Sequence, residues 1–100
     1  MITINPDQAR ILVEQEGNNS NFIVLDVRTP AEFEINRLSK AINIDIHAHD
    51  FTDRINALDR TKTYLVYCKT GGRSTSAAEL MEDLGFKNVY NVKGKLFEQH

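Results

Sequence analysis

Short apolar runs alternate along this chain with stretches whose apolar residues recur at helical spacing, which predicts strands joined by helices. Asn5 followed by Pro6 reads as an N-cap and first helical residue. Ala9, Leu12, Val13 and Glu16 keep the helical period, and Gly17-Asn18-Asn19-Ser20 stops it. Phe22-Ile23-Val24-Leu25 is continuously apolar, the mark of a strand buried on both faces. Thr29-Pro30-Ala31-Glu32 has capping-box spacing with proline at the first helical position, so a short helix starts directly after Asp26-Val27-Arg28. Ala41-Ile42-Asn43-Ile44 predicts a second, shorter strand, and Asp50 the cap of a helix with Phe51, Ile55 and Leu58 on its apolar face. Tyr64-Leu65-Val66-Tyr67 is the next strand. A glycine-bearing loop from Cys68 to Arg73 then feeds a helix with Ser74 or Thr75 near its cap. Ala77, Leu80, Met81 and Leu84 make its buried stripe, Gly85 stands where a left-handed C-cap belongs, and Asn88-Val89-Tyr90 is the last strand.

Strands separated by helices imply the α/β class: a small, mainly parallel sheet flanked by helices on both faces. The length of 100 residues predicts one domain over 1–100. In such sheets the working site lies beyond the carboxyl ends of the strands, where both Asp26 and Cys68 stand.

Composition narrows the function classes. The formal charge is −2, with acids and bases interspersed, so no broad nucleic-acid or anionic-membrane surface is expected. No apolar run approaches the length of a membrane span, and the N-terminus lacks a basic-then-apolar signal. Cys68 is the only cysteine, which rules out an internal disulfide and a cysteine-rich zinc site, and suits a reducing, cytoplasmic compartment. His47-Ala48-His49-Asp50 puts potential ligands on alternate residues, but four ligands are not evident, and a solvated loop with a helix cap is the expected reading. No metal and no cofactor is expected. Lys87, Lys93 and Lys95 read as solvated surface.

The chemistry concentrates in Cys68-Lys69-Thr70-Gly71-Gly72-Arg73-Ser74. A strand ends, two glycines allow a tight turn, and a helix begins. Amides in such a turn can converge inward, the helix N-terminus adds partial positive charge, and Lys69 and Arg73 bring full charges. All of these favour thiolate over thiol. A pKa falling from roughly 8.5 to roughly 6.5 would raise the thiolate fraction at neutral pH from ~3% to ~75%. Inward amides would also stabilise an anion formed on or near the sulfur. A buried, inert cysteine is the bland alternative. A structural turn has no need of Gly-Gly, arginine and a helix start directly after a thiol.

Cys-x-x-Gly-x-Arg-Ser, matched by Cys68, Gly71, Arg73 and Ser74, resembles the active-site loop of rhodanese-like sulfurtransferases. Val24-Leu25-Asp26-Val27-Arg28-Thr29-Pro30-Ala31-Glu32-Phe33 is similar to that family's first signature, and Ala41-Ile42-Asn43-Ile44 to the segment that follows it. The stretch 84–94 resembles its closing segment, so the likeness spans 22–94 in the right order. The resemblance implies a three-layer rhodanese-like fold and a mechanism of two displacements. Cys68 would attack the outer sulfur of a small anionic donor such as thiosulfate and release sulfite, leaving a persulfide. Cyanide, a thiol or a protein cysteine would then accept that sulfur. The loop amides of 69–74 would hold the persulfide anion, with Arg73 and Lys69 attracting the donor.

Related loops serve phosphatases and arsenate reductases, but those carry one more residue between Cys and Arg than the four here, and the phosphatases place His where this chain has Tyr67. A non-enzymatic interaction module on the same fold is the other alternative. The chain departs from the family pattern at Asn36-Arg37-Leu38-Ser39-Lys40, at Gly94-Lys95, and in ending at His100 without tryptophan; all three lie outside the cysteine loop. Asp26 and Arg28 admit two readings. Asp26 orients Arg73 or the loop while Arg28 shapes the pocket, or the two form a strand-end ion pair that fixes the following helix.

Overall fold

The computed structural model describes residues 1–97. The chain runs β1 (Ile2–Ile4), α1 (Pro6–Glu16), β2 (Phe22–Asp26), α2 (Pro30–Ile35), β3 (Ile42–Asn43), α3 (Phe51–Asn56), β4 (Thr63–Tyr67), α4 (Gly72–Asp83) and β5 (Val89–Val92). The strands form one sheet in the order β1-β5-β4-β2-β3, parallel throughout.

Alternation along the strands divides the core in two, because successive side chains leave opposite faces. Phe22, Val24, Leu65, Tyr67 and Val92 meet Ala9 and Val13 of α1 on one face, with Leu38 and Leu96 closing the margin. Leu25, Val27, Tyr64, Val66 and Val89 meet Phe51 and Ile55 of α3 and Ala77, Ala78 and Met81 of α4 on the other. Each fully buried Leu or Ile contributes about 1.5–3 kcal/mol relative to exposure, so the double covering of the short strands holds the sheet together. Leu80 and Leu84 pack half-buried at the edge of the second layer rather than within it.

Local signals place most of the helix starts. Asn5 and Gln8 form a reciprocal capping box at α1, and Thr29 with Glu32 forms another at α2, each followed by proline at the first turn. Gly85 has the expected positive φ of 96° after α4. Two expectations need correction, and one strand is additional. Asp50 occupies the N-cap position of α3, but its side chain makes no capping hydrogen bond. Helix α4 starts at Gly72 with Gly71 at its cap, so Ser74 and Thr75 lie inside the first turn. Strand β1 was not anticipated, because three residues ahead of Asn5-Pro6 give too short a pattern. It forms an edge strand beside β5 and leaves Ile2 58% exposed.

The register sets the stage for the site. Asp26 lies beside Tyr67, so β2 and β4 end level and hand the chain to Val27 and Cys68 at the same edge of the sheet. No helix among the described residues is long and apolar enough to cross a membrane.

Candidate active site

Cys68 leaves the end of β4 and its sulfur turns into the loop that follows. The Gly71 amide donates to Sγ at 3.1 Å and the Ser74 amide at 3.4 Å. Ser74 Oγ lies 3.5 Å from Sγ and also reaches the carbonyls of Gly71 at 3.2 Å and Val92 at 3.3 Å. A hydroxyl has one proton, so it serves a carbonyl while the sulfur is a thiol and can turn to the sulfur once that ionises. Burial alone would push the Cys68 pKa up. The Ser74 hydroxyl and amide, with the Gly71 and Thr70 amides, outweigh it and hold the thiol below its ordinary value. Cys68, only 3% exposed, is thereby shifted toward the thiolate that burial opposes.

The two glycines do different work. Gly71 has φ 118°, and a Cβ there would stand 3.0 Å from Lys93 Cα and 3.3 Å from the Val92 carbonyl oxygen. Gly72 is the first residue of α4, and a Cβ there meets nothing within 4 Å. Only Gly71 needs to be glycine for the turn.

The segment after β5 braces the loop from below. Gly94 N–H donates to the Thr70 carbonyl at 2.9 Å and Leu96 N–H to the Lys69 carbonyl at 3.3 Å. Thr75 Oγ1 donates to the Gly71 carbonyl at 2.6 Å while accepting from Asn91 Nδ2 at 2.8 Å. Gly94, with φ 124°, packs where a Cβ would stand 2.9 Å from the Pro6 ring, which ties this brace to the start of α1. The departure from the family pattern at Gly94-Lys95 therefore falls within the support of the cysteine loop. Lys87, Lys93 and Lys95 are exposed.

Arg73 does not stand free beside the sulfur. Its Nη1 and Nη2 donate to Glu32 Oε1 and Oε2 at 2.6 and 3.0 Å. Glu32 also completes the α2 capping box, accepting from Thr29 N–H and Oγ1 at 3.2 and 3.1 Å. Residue-by-residue reading found Glu32 as a cap but missed its second partner, because a carboxylate 41 residues from its arginine leaves no local signal. The Arg73 hydrogen bonds carry the Glu32 carboxyl down to about 2. A carboxyl that titrates lower folded than unfolded adds stability above its unfolded pKa and loses it as pH falls through the folded one. Glu32→Gln is therefore expected to flatten the loss of stability between pH 4.5 and about 2, followed as urea midpoints against pH. Parallel curves for the two proteins would contradict this.

Asp26 orients neither Arg73 nor the loop; it is bound to Arg28, as a strand-end ion pair. Arg28 Nε lies 3.1 Å from both carboxylate oxygens and Nη2 2.7 Å from Oδ2, while the Arg28 amide donates to Oδ1 at 2.8 Å. The guanidinium also donates to Asn36, at the C-terminus of α2, and lies 4.6 Å from the ring centre of Phe97 and 5.6 Å from that of Tyr67. The pair fixes α2, and through it Glu32. Tyr67 is itself fixed, its hydroxyl accepting the Leu38 amide at 3.0 Å.

Beside the loop a cleft of about 120 Å³ is lined by Arg28, Glu32, Ile35, Asn36 and Lys69. Larger cavities of about 430 and 280 Å³ lie around Lys40 and the end of α1 and do not touch the Cys68 loop. Of these cavities the small cleft is the one that shares a residue, Lys69, with the Cys68 loop. His47 Nδ1 lies 3.5 Å from Asp45, and no cluster of three or more His, Cys, Asp or Glu among the described residues is placed to hold a metal ion.

A parallel sheet that presents a cysteine in an amide-lined turn at a strand's carboxyl end defines a narrow class of domains. The family model of the rhodanese-like domain matches residues 7–98, and the chain belongs to that family. It is 36% identical over 91 residues to the thiosulfate sulfurtransferase GlpE of Pseudomonas syringae pv. syringae, covering 91% of this chain and 79% of that protein. It is also 35% identical over 78 residues to the tRNA uridine(34) hydroxylase of Pelagibacter ubique, covering 77% of this chain and only 26% of that much longer protein. Among solved structures, a rhodanese-related protein from Thermoplasma volcanium aligns with a TM-score of 0.78 at 30% identity, over 96% of this chain and 87% of that one.

Proposed function

We propose that this protein is a sulfurtransferase that carries sulfane sulfur as a persulfide on Cys68. The observation that carries this reading is a nearly buried sulfur collecting the amides of Gly71 and Ser74 at 3.1 and 3.4 Å, donors an inert core cysteine has no need of. Its relatives named thiosulfate sulfurtransferase support the same reading.

In the first step the Cys68 thiolate attacks the outer sulfur of the donor. With thiosulfate, the S–S bond breaks, sulfite leaves with the bonding pair, and Cys68-S-S⁻ forms. The amides of Thr70, Gly71 and Ser74 take up the charge, which moves outward by one sulfur. In the second step a thiolate or cyanide attacks that outer sulfur and Cys68 departs as the stabilised thiolate. Splitting the transfer gives each half a good leaving group. Lys69, on the wall of the cleft, attracts the anionic donor. Arg73, held by Glu32, adds less attraction than a free guanidinium would. The chemistry needs Cys68 reduced, which fits a reducing compartment such as the cytoplasm.

The test is mass spectrometry of the reduced protein after thiosulfate. The expected result is one added sulfur atom, mapped to the peptide holding Cys68 and removed by cyanide with release of thiocyanate. A protein that gains no sulfur and forms no thiocyanate would refute the assignment.

A further inference from the structure

Around the Cys68 loop both arginines stand in ion pairs with carboxylates. Arg28 is bound to Asp26 at 2.7 Å, and Arg73 to Glu32 at 2.6 and 3.0 Å. These two pairs cancel. The positive charge left unpaired by these bridges is carried by lysines: Lys69 in the loop, and Lys93 and Lys95 in the segment that braces it. The Arg73–Glu32 pair is the adjustable one: both side chains are about a quarter to a third exposed, at 27% and 30%, whereas Asp26 and Arg28 are sealed in the fold.

Resting on the sulfurtransferase reading above, we propose that Glu32 is a positioning residue that sets donor choice. By neutralising Arg73, it disfavours free thiosulfate and leaves the site to sulfur delivered as a persulfide on the cysteine of a peptide or protein. The charge count explains the direction. Thiolate plus thiosulfate gives a transition state of charge −3, passing to Cys68-S-S⁻ and sulfite dianion. Thiolate plus a persulfide anion R-S-S⁻ gives −2: the Cys68 sulfur bonds to the terminal sulfur, the R-S–S bond breaks, and R-S⁻ leaves with the pair. The transition state with more negative charge gains more from an unpaired guanidinium, so the carboxylate on Arg73 penalises thiosulfate more. The low titration of Glu32 keeps that carboxylate charged throughout the neutral range.

The experiment compares steady-state sulfur transfer from thiosulfate and from the persulfide of N-acetylcysteinamide, whose only charge is on sulfur, by wild type, Glu32→Gln and Glu32→Asp. Glutamine still offers an acceptor to the Thr29 amide, so α2 keeps its cap; aspartate keeps the charge. In Glu32→Gln, kcat/KM for thiosulfate is expected to rise roughly fivefold, mostly through KM, with a change of less than about twofold for the persulfide. Added KCl should erode the thiosulfate gain, because partly exposed charges are screened. Glu32→Asp should keep the wild-type donor ratio. Equal loss with both donors in both variants would make Glu32 a structural residue and overturn the proposal, as would an unchanged thiosulfate KM in Glu32→Gln. If wild type takes sulfur from neither donor, the sulfurtransferase reading falls and this proposal with it. A wild type that loads sulfur, with a donor ratio unmoved by Glu32→Gln, removes this proposal alone.

Discussion

Replacing Arg28 with alanine is expected to cost the fold about 3–5 kcal/mol, because it strands a buried carboxylate. Asp26 is 0% and Arg28 3% exposed, so the carboxylate starts out shielded from water and depends on the pair. The Asp26 carboxylate would keep the residue 28 amide at 2.8 Å but lose the guanidinium. Asn36 would lose its partner at the C-terminus of α2, and Phe97 the cation stacked 4.6 Å from its ring. Domains of this size hold only about 5–15 kcal/mol in total, so the variant stands near the edge of folding. Urea denaturation checks this: the midpoint should fall sharply with the slope unchanged. Arg28→Lys should lie between, since lysine keeps the charge but not the forked contact. A loss below about 1 kcal/mol in Arg28→Ala would mean the pair is not what fixes α2.

Gly71→Ala should cut the rate of sulfur loading by about 100-fold, the scale on which removing one donor to a developing anion acts. Alanine resists φ 118°, and its Cβ would collide with Lys93 Cα, which is backbone and cannot swing aside. The turn must shift, and the Gly71 amide 3.1 Å from Sγ shifts with it. Gly72→Ala is the internal control. Its Cβ would enter open space at the first residue of α4, so loading should be unchanged and stability equal or higher by about 0.4–1 kcal/mol. Comparable damage from both substitutions, read by loading kinetics and thermal melts, would contradict the unequal roles of the two glycines.

Much of this architecture was legible because its signals are local. Asn5-Pro6 and Thr29-Pro30 announce helices through caps that satisfy their own amides, and Phe22 to Leu25 announces a strand through an unbroken apolar run. The cysteine loop is likewise a contiguous string, and the family resemblance it carries holds over residues 7–98. What was missed depends on partners distant in the chain. Strand β1 is made by pairing with β5 at the other end of the sequence. Glu32 meets Arg73 only because parallel strands bring α2 and the loop to one edge. The brace from Gly94 and Leu96 to the loop carbonyls is backbone bonding, for which side-chain identity gives no cue. For Asp26, the near partner won over the far one: Arg28 two residues on is close enough to claim both carboxylate oxygens, leaving nothing for Arg73.

The sulfur's capacity to hold negative charge in a nearly closed pocket is the property on which the rest stands. The rate of iodoacetamide alkylation of Cys68, followed against pH, reads it directly, since only the thiolate reacts. The profile should turn over below the ordinary thiol range, and Ser74→Ala should move it upward by removing the first of the stabilising groups. A midpoint at or above that of a free cysteine, unmoved by Ser74→Ala, would show that burial wins over the loop's donors and that Cys68 is an inert part of the core.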